Sequence, residues 1–91
     1  MAKYVYPAVF TPEEEGYSIN FPDLENCFTS AETLEEGMEM SNDVLCLTLY
    51  GLEQDGKPIP PASTVNAVEH RPEEFVTLIS CDTAVSSTTK R

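Results

Sequence analysis

The sequence is poor in positive charge. Lys and Arg number 5 among its 91 residues, against 16 Asp and Glu, and the formal net charge is −11. Phosphate backbones and anionic membranes are held through Lys and Arg, so direct binding to free nucleic acid or to such a membrane is not expected. A basic protein is the partner that this charge would steer. The plain alternative is that the charge only keeps the chain dispersed in water. Tryptophan is absent, and no apolar run approaches the length of a membrane span. Met1-Ala2-Lys3-Tyr4 has no secretory apolar core, so the cytoplasm is the expected compartment. The three cysteines, Cys27, Cys46 and Cys81, are widely spaced and form no C-x-x-C pair. Neither zinc nor a redox motif is indicated, and all three read as small buried hydrophobes. There is no Gly-rich phosphate loop. His70, the sole histidine, stands between Glu69 and Arg71 in a polar stretch with no positioned nucleophile, and reads as a solvated loop residue.

What is present fits one small domain. A hydrophobic fraction of 41% is enough for a core and too much for a disordered chain. The stretch from Thr33 to Asp55 organises the rest. Leu34, Met38, Leu45, Leu49 and Leu52 recur at three- and four-residue steps with Ser41 in the same row, which predicts one apolar helical stripe. Glu35, Glu36, Glu39, Asp43 and Glu53 lie opposite. Thr33 and Glu36 have the spacing of a reciprocal capping box, with an alternative start at Thr29 and Glu32. Asp55-Gly56 and Pro58 end the helix.

Before it, the segment from Lys3 to Thr11 is aromatic and β-branched and reads as a strand, with Pro7 at an edge, a bulge or an unpaired side. Pro12 to Gly16 reads as a turn. Tyr17, Ile19 and Phe21 then alternate, which predicts an antiparallel hairpin. Asn26 suits a left-handed position, and Cys27-Phe28-Thr29 is a short third strand. After the helix comes a Pro-rich link, with a brief extended piece at Thr64 to Val68. The segment from Phe75 to Cys81 is apolar at nearly every position, which places it in a sheet interior or at a subunit interface. The expected domain is 1–83, and 84–91 is expected to be a disordered tail. The resulting fold class is α+β: a small antiparallel sheet of three to four strands on one helix, in the order β-β-β-α-β. One sheet face is left for polar residues, a second copy or another protein to occupy.

Phe21-Pro22-Asp23-Leu24, Cys27-Phe28-Thr29, the helix start Thr33-Leu34-Glu35-Glu36, and Pro58-Ile59-Pro60-Pro61-Ala62-Ser63 occur in an order that resembles the HicB family. That family is the antitoxin half of bacterial HicA–HicB toxin–antitoxin pairs. The resemblance covers nearly the whole chain, with Asn26 where Gly is frequent and Gly37 where Ala is usual. It implies a partial ribonuclease-H-like sheet without activity. It also implies a small basic toxin as partner, one that cleaves mRNA and is masked by the antitoxin. Many members continue into a DNA-binding domain. No such pattern precedes Arg91, so a short form without DNA-directed autorepression is expected.

A ribonuclease-H-like sheet also invites a metal-nuclease reading, which needs converging carboxylates. The available acids are Asp23, Glu35, Glu36, Asp43 and Asp82, and none stands mid-strand in the first hairpin. No catalytic, cofactor-binding or metal residue is therefore assigned, and no cofactor is expected. The candidate partner-binding residues are Asp23, Glu25, Glu32, Glu35, Glu39 and Asp43. A merely solvated face is the competing reading for the helical acids. Glu13-Glu14-Glu15 reads as solvent-facing. The functional expectation is an antitoxin-like binding protein, not an enzyme, and a homo-oligomer. The alternative is an orphan module that only self-associates.

Overall fold

The computed structural model describes residues 3–83. The expected tail 84–91 lies outside the described residues. Four strands and one helix follow in order: β1 (Lys3–Glu13), β2 (Gly16–Asn20), β3 (Phe28–Ala31), α1 (Leu34–Gln54) and β4 (Phe75–Asp82). The strands form one antiparallel sheet in the order β3-β2-β1-β4, and α1 covers one face. The expected α+β class and element order hold. The described residues contain no helix long and apolar enough to cross a membrane.

β1 is central, and its two prolines show how it can be. Pairing with β2 runs only from Val9 to Glu13, and pairing with β4 only from Lys3 to Phe10. Pro7 therefore lies where β2 is absent, and Pro12 where β4 is absent. Neither proline has to donate to a ladder on that side. The hairpin turn is tighter than expected. Pro12 and Glu13 belong to β1, and Glu13 pairs with Gly16, so only Glu14 and Glu15 make the turn.

Tyr6, Ala8 and Phe10 of β1, Ile19 of β2 and Ile79 and Cys81 of β4 point towards α1 and are buried with Leu45, Cys46 and Leu49. The apolar stripe differs from expectation. Leu34 and Met38 remain 45% and 41% exposed, and the buried row begins instead at Gly37 and Ser41. The reason is closeness. A Cβ on Gly37 would stand 3.1 Å from Phe10 Cε2 and 3.2 Å from Ile19 Cδ1, so the helix start lies almost directly on the sheet. Gly37 costs the helix about 1 kcal/mol in propensity, and this approach is what it permits. The buried Ser41 hydroxyl donates to the Gly37 carbonyl at 2.6 Å.

Thr33 is the N-cap and accepts from the Glu36 N–H at 3.1 Å, as expected. Glu36, however, accepts from the Glu32 N–H rather than from Thr33, one residue further back. Asn26 takes the left-handed conformation at φ 56°. The third strand begins at Phe28, with Cys27 buried just before it. The link holds a 3-10 turn at Val65–Ala67 in place of an extended piece.

For β4 the interior position does not hold, and its buried cysteine is bonded as well as buried. β4 is an edge strand, with only Ile79 and Cys81 buried. A uniform apolar run does not reveal how many neighbours a strand has. Cys81 is joined to Cys46 of α1 by a disulfide, with Cα atoms 5.4 Å apart, whereas Cys27 is free. The sheet face turned away from α1 is also not wholly bare. Pro7 and Val9 are buried on it, the 3-10 turn contacts β4, and Glu74 of the link accepts from the Thr11 hydroxyl at 2.7 Å. Val5 and Leu78 stay exposed there.

Candidate partner-binding surface

The expected acidic residues fall into two groups. Glu32, Glu35, Glu39 and Asp43 are all exposed, on the helix entry and along α1. Asp23 and Glu25 lie elsewhere, beside the later turns of the helix. There they line a cleft of about 410 Å³ with Thr48, Leu52, Lys57 and Pro60.

Asp23 is half-buried and committed to structure. Its two oxygens accept from the Ser63 backbone N–H at 2.8 Å and from the Ser63 hydroxyl at 2.7 Å. This closes the Pro-rich link against the end of β2, and the Tyr6 hydroxyl donates to the Pro60 carbonyl nearby. Burial, and then the negative charge of Asp23, push the Tyr6 hydroxyl above its ordinary pKa. A carboxylate with both oxygens occupied in this way is a clamp more than a docking contact.

The outer side of α1 is different. Glu36, Met40, Asp43 and Leu47 recur at four-, three- and four-residue steps, turned away from the sheet, with Glu39 beside them. Leu47 is 71% exposed. The acids are legible from helical spacing, whereas this leucine falls outside the predicted stripe. Apolar side chains ringed by charge are the composition of an interface core with a polar rim.

A third acidic group was read as plain solvent-facing in the sequence. Glu13 and Glu15 of the hairpin converge with Glu32 and Glu36 around a cleft of about 450 Å³ at the helix entry. Gly16 makes this possible. At φ 143° it is pressed so closely on β3 that a Cβ would stand 2.2 Å from the Ala31 carbonyl oxygen. The β2–β3 register, Tyr17 against Ala31, then brings the hairpin turn to the start of α1. Only the sheet order reveals this meeting.

Two further acids are tied inward. Glu53 accepts from the Tyr4 hydroxyl at 2.6 Å, which holds its carboxyl below the ordinary range and lifts the Tyr4 hydroxyl above its own. Glu74 accepts from the Arg71 N–H at 2.8 Å and from Thr11, in that order of effect, and is lowered likewise.

The five acids of the nuclease reading are dispersed in the structure. Asp23 is clamped, Glu35 and Glu36 sit in the first helical turn, Asp43 faces outward and Asp82 ends β4. Among the described residues, no group of three or more His, Cys, Asp or Glu is placed to hold a metal ion. His70 is exposed, with Nδ1 2.9 Å from the Arg71 carbonyl oxygen.

Residues 6–91 match the family described as the HicB_like antitoxin of bacterial toxin-antitoxin systems. Antitoxin HicB of Escherichia coli K12 is 35% identical over 66 residues, covering 71% of this chain and 48% of that protein. The chain thus spans about half the length of that curated relative. In a toxin–antitoxin complex from Streptococcus pneumoniae, one chain superposes with a TM-score of 0.82 at 22% identity, covering 98% of this chain and 77% of that one. A chain of a HicA3–HicB3 toxin–antitoxin complex superposes at 0.71 and 21% identity, covering 87% and 99%. At such identities the likeness speaks to the fold.

Proposed function

Taking as premise that the chain belongs to the HicB-like antitoxin family, we propose that it binds and masks a small, basic, mRNA-cleaving toxin of the HicA type. The observation that carries this reading is the outer side of α1, where Glu36, Glu39 and Asp43 surround the exposed Met40 and Leu47. The four hairpin and helix-entry glutamates extend the same negative field. A surface that binds RNA is positively charged, and an acidic surface of comparable extent competes for it. The apolar pair supplies the desolvated anchors that charge alone lacks. The chain acts by occupancy, with no catalytic step or cofactor of its own, and it does not touch nucleic acid directly. Its setting is the cytoplasm, where mRNA is translated.

The test is co-expression with the basic toxin-sized protein from the same host. Growth restored under toxin induction, together with stoichiometric co-purification, is the expected outcome. Unrelieved toxicity with no complex would contradict the reading.

A self-associating module is the second reading, favoured by the position of β4 at the sheet edge among the described strands and by Val5 and Leu78 exposed beside it. The segment from Phe75 to Cys81 carries no charge and no proline to deter pairing with another copy. A defined oligomer in isolation, with no toxin partner recovered, would favour it.

A further inference from the structure

We infer that Cys46 and Cys81 form a reversible redox pair that sets how firmly the edge strand β4 is held to the helix. Cys46 stands mid-helix and Cys81 near the end of β4, 35 residues apart in sequence, with Cα atoms 5.4 Å apart. That separation is within the range a disulfide needs without backbone movement. The dithiol form is accommodated as well, because the Asn42 side-chain oxygen Oδ1 lies 4.0 Å from Cys46 Sγ and can receive its S–H. The pair borders an open cleft of about 440 Å³, lined by Lys3, Tyr4, Val5, Asn42, Ser80 and Asp82 with the two cysteines. The two cysteines are 4% and 3% exposed, and this cleft is the side from which a small thiol or disulfide would approach them. Cys27 is buried as well, and burial pushes its thiol above the ordinary pKa, so it is a poor nucleophile.

The consequence follows from topology. Among the described strands, β4 lies at the edge of the sheet with β1 as its neighbour. Among the described elements, it also packs on α1 and the 3-10 turn. The covalent link ties this strand to the element that carries the proposed partner surface. Breaking it lowers the cost of opening β4 and the link before it, and an opened segment is what a protease cuts.

The inference rests on the cytoplasmic reading above. In a reducing compartment a disulfide is the transient state, made under oxidation and broken afterwards. The oxidant is a low-molecular-weight disulfide such as oxidised glutathione. One cysteine thiolate attacks a sulfur of that disulfide, forming a mixed disulfide and expelling one thiolate. The second cysteine thiolate then attacks the protein sulfur, closes the Cys46–Cys81 bond and expels the second. Two electrons pass to the small disulfide, and the two cysteine protons leave with the departing thiols. Reduction is the reverse.

The test is equilibration of the full chain in a series of reduced-to-oxidised glutathione ratios, with free thiols trapped by alkylation and counted by intact mass. The disulfide fraction should follow the ratio, in wild type and in Cys27→Ser alike. The oxidised protein should melt on the order of 10 °C above the reduced one and resist limited proteolysis about tenfold longer. Cys46→Ser and Cys81→Ser should behave as the reduced wild type at every ratio. A pair that never forms, or that stays closed at every cytosol-like ratio, would overturn the inference. So would oxidised and reduced forms with equal melting and cleavage. Because these readouts use the chain alone, their outcome is separate from whether a toxin is bound.

Discussion

Asp23 and Asp43 are the same side chain in two settings. Asp23 is half-buried, and both its oxygens accept from Ser63, 40 residues away. Asp43 is exposed on the outer side of α1, one helical turn from Glu39 and one from Leu47. Charge in the first setting builds the fold, with Glu53 on Tyr4 and Glu74 on Thr11 as parallel cases. Charge in the second contributes nothing that the isolated chain needs. The net charge of −11 therefore has two parts, and only the outward part is available to a partner.

Breaking the inward part should have the largest effect on stability. Asp23→Ala removes both bonds to Ser63 and frees the Pro-rich link, a loss of about 2 kcal/mol. In thermal denaturation this should appear as a melting temperature lower by on the order of 10 °C. Glu25→Ala, at the exposed neighbour two residues on, should leave the midpoint in place. Equal effects from the two would erase the distinction.

Acid should act through the inward carboxylates in a smaller, graded way. Glu53 and Glu74 both have folded pKa values below the ordinary 4.5. The stability they give is complete above 4.5 and is lost as pH falls through their lower folded values. Tyr4 gives the mirror image. Its pKa is raised above 10.0, so its share persists below 10.0 and is lost as pH rises through the folded value. Tyr4→Phe should therefore flatten the acid limb of a melting-temperature profile relative to wild type. Identical acid limbs would show that the Tyr4–Glu53 bond does not hold in solution.

The smallest effect on stability is expected outside. Reversing Glu39 and Asp43 together to Lys should move the unfolding free energy by no more than about 0.5 kcal/mol, since neither group has a structural contact to lose. A large loss in urea denaturation would mean that the outer acids support the fold after all.

Much of the fold was legible in the sequence because it rests on local periodicity. The alternation of Tyr17, Ile19 and Phe21, the Thr33 cap and the left-handed Asn26 are all local signals, and the structure bears them out. What was not legible depends on neighbours distant in sequence. Leu34 and Met38 have the right period but sit at the helix entry, where the close approach at Gly37 leaves them outside the core. The segment from Phe75 to Cys81 is apolar enough for an interior strand, yet sheet order makes it an edge. Cys46 and Cys81 meet only because α1 crosses β4. At the candidate surface, the exposed glutamates on the helix were readable from spacing. The clamp at Asp23, the exposed Leu47, and the meeting of Glu13 and Glu15 with Glu32 and Glu36 were not, because each is set by tertiary placement.

The outward acids are proposed to form the surface that holds a basic toxin. The most direct test is titration of the toxin from the same host with wild type and with the Glu39→Lys, Asp43→Lys double variant, at low and at high salt. The expected result is a complex whose affinity falls with salt, and at least about a tenfold weaker Kd for the folded double variant. Equal affinities for the two proteins, unaffected by salt, would contradict it and move the contact to another face.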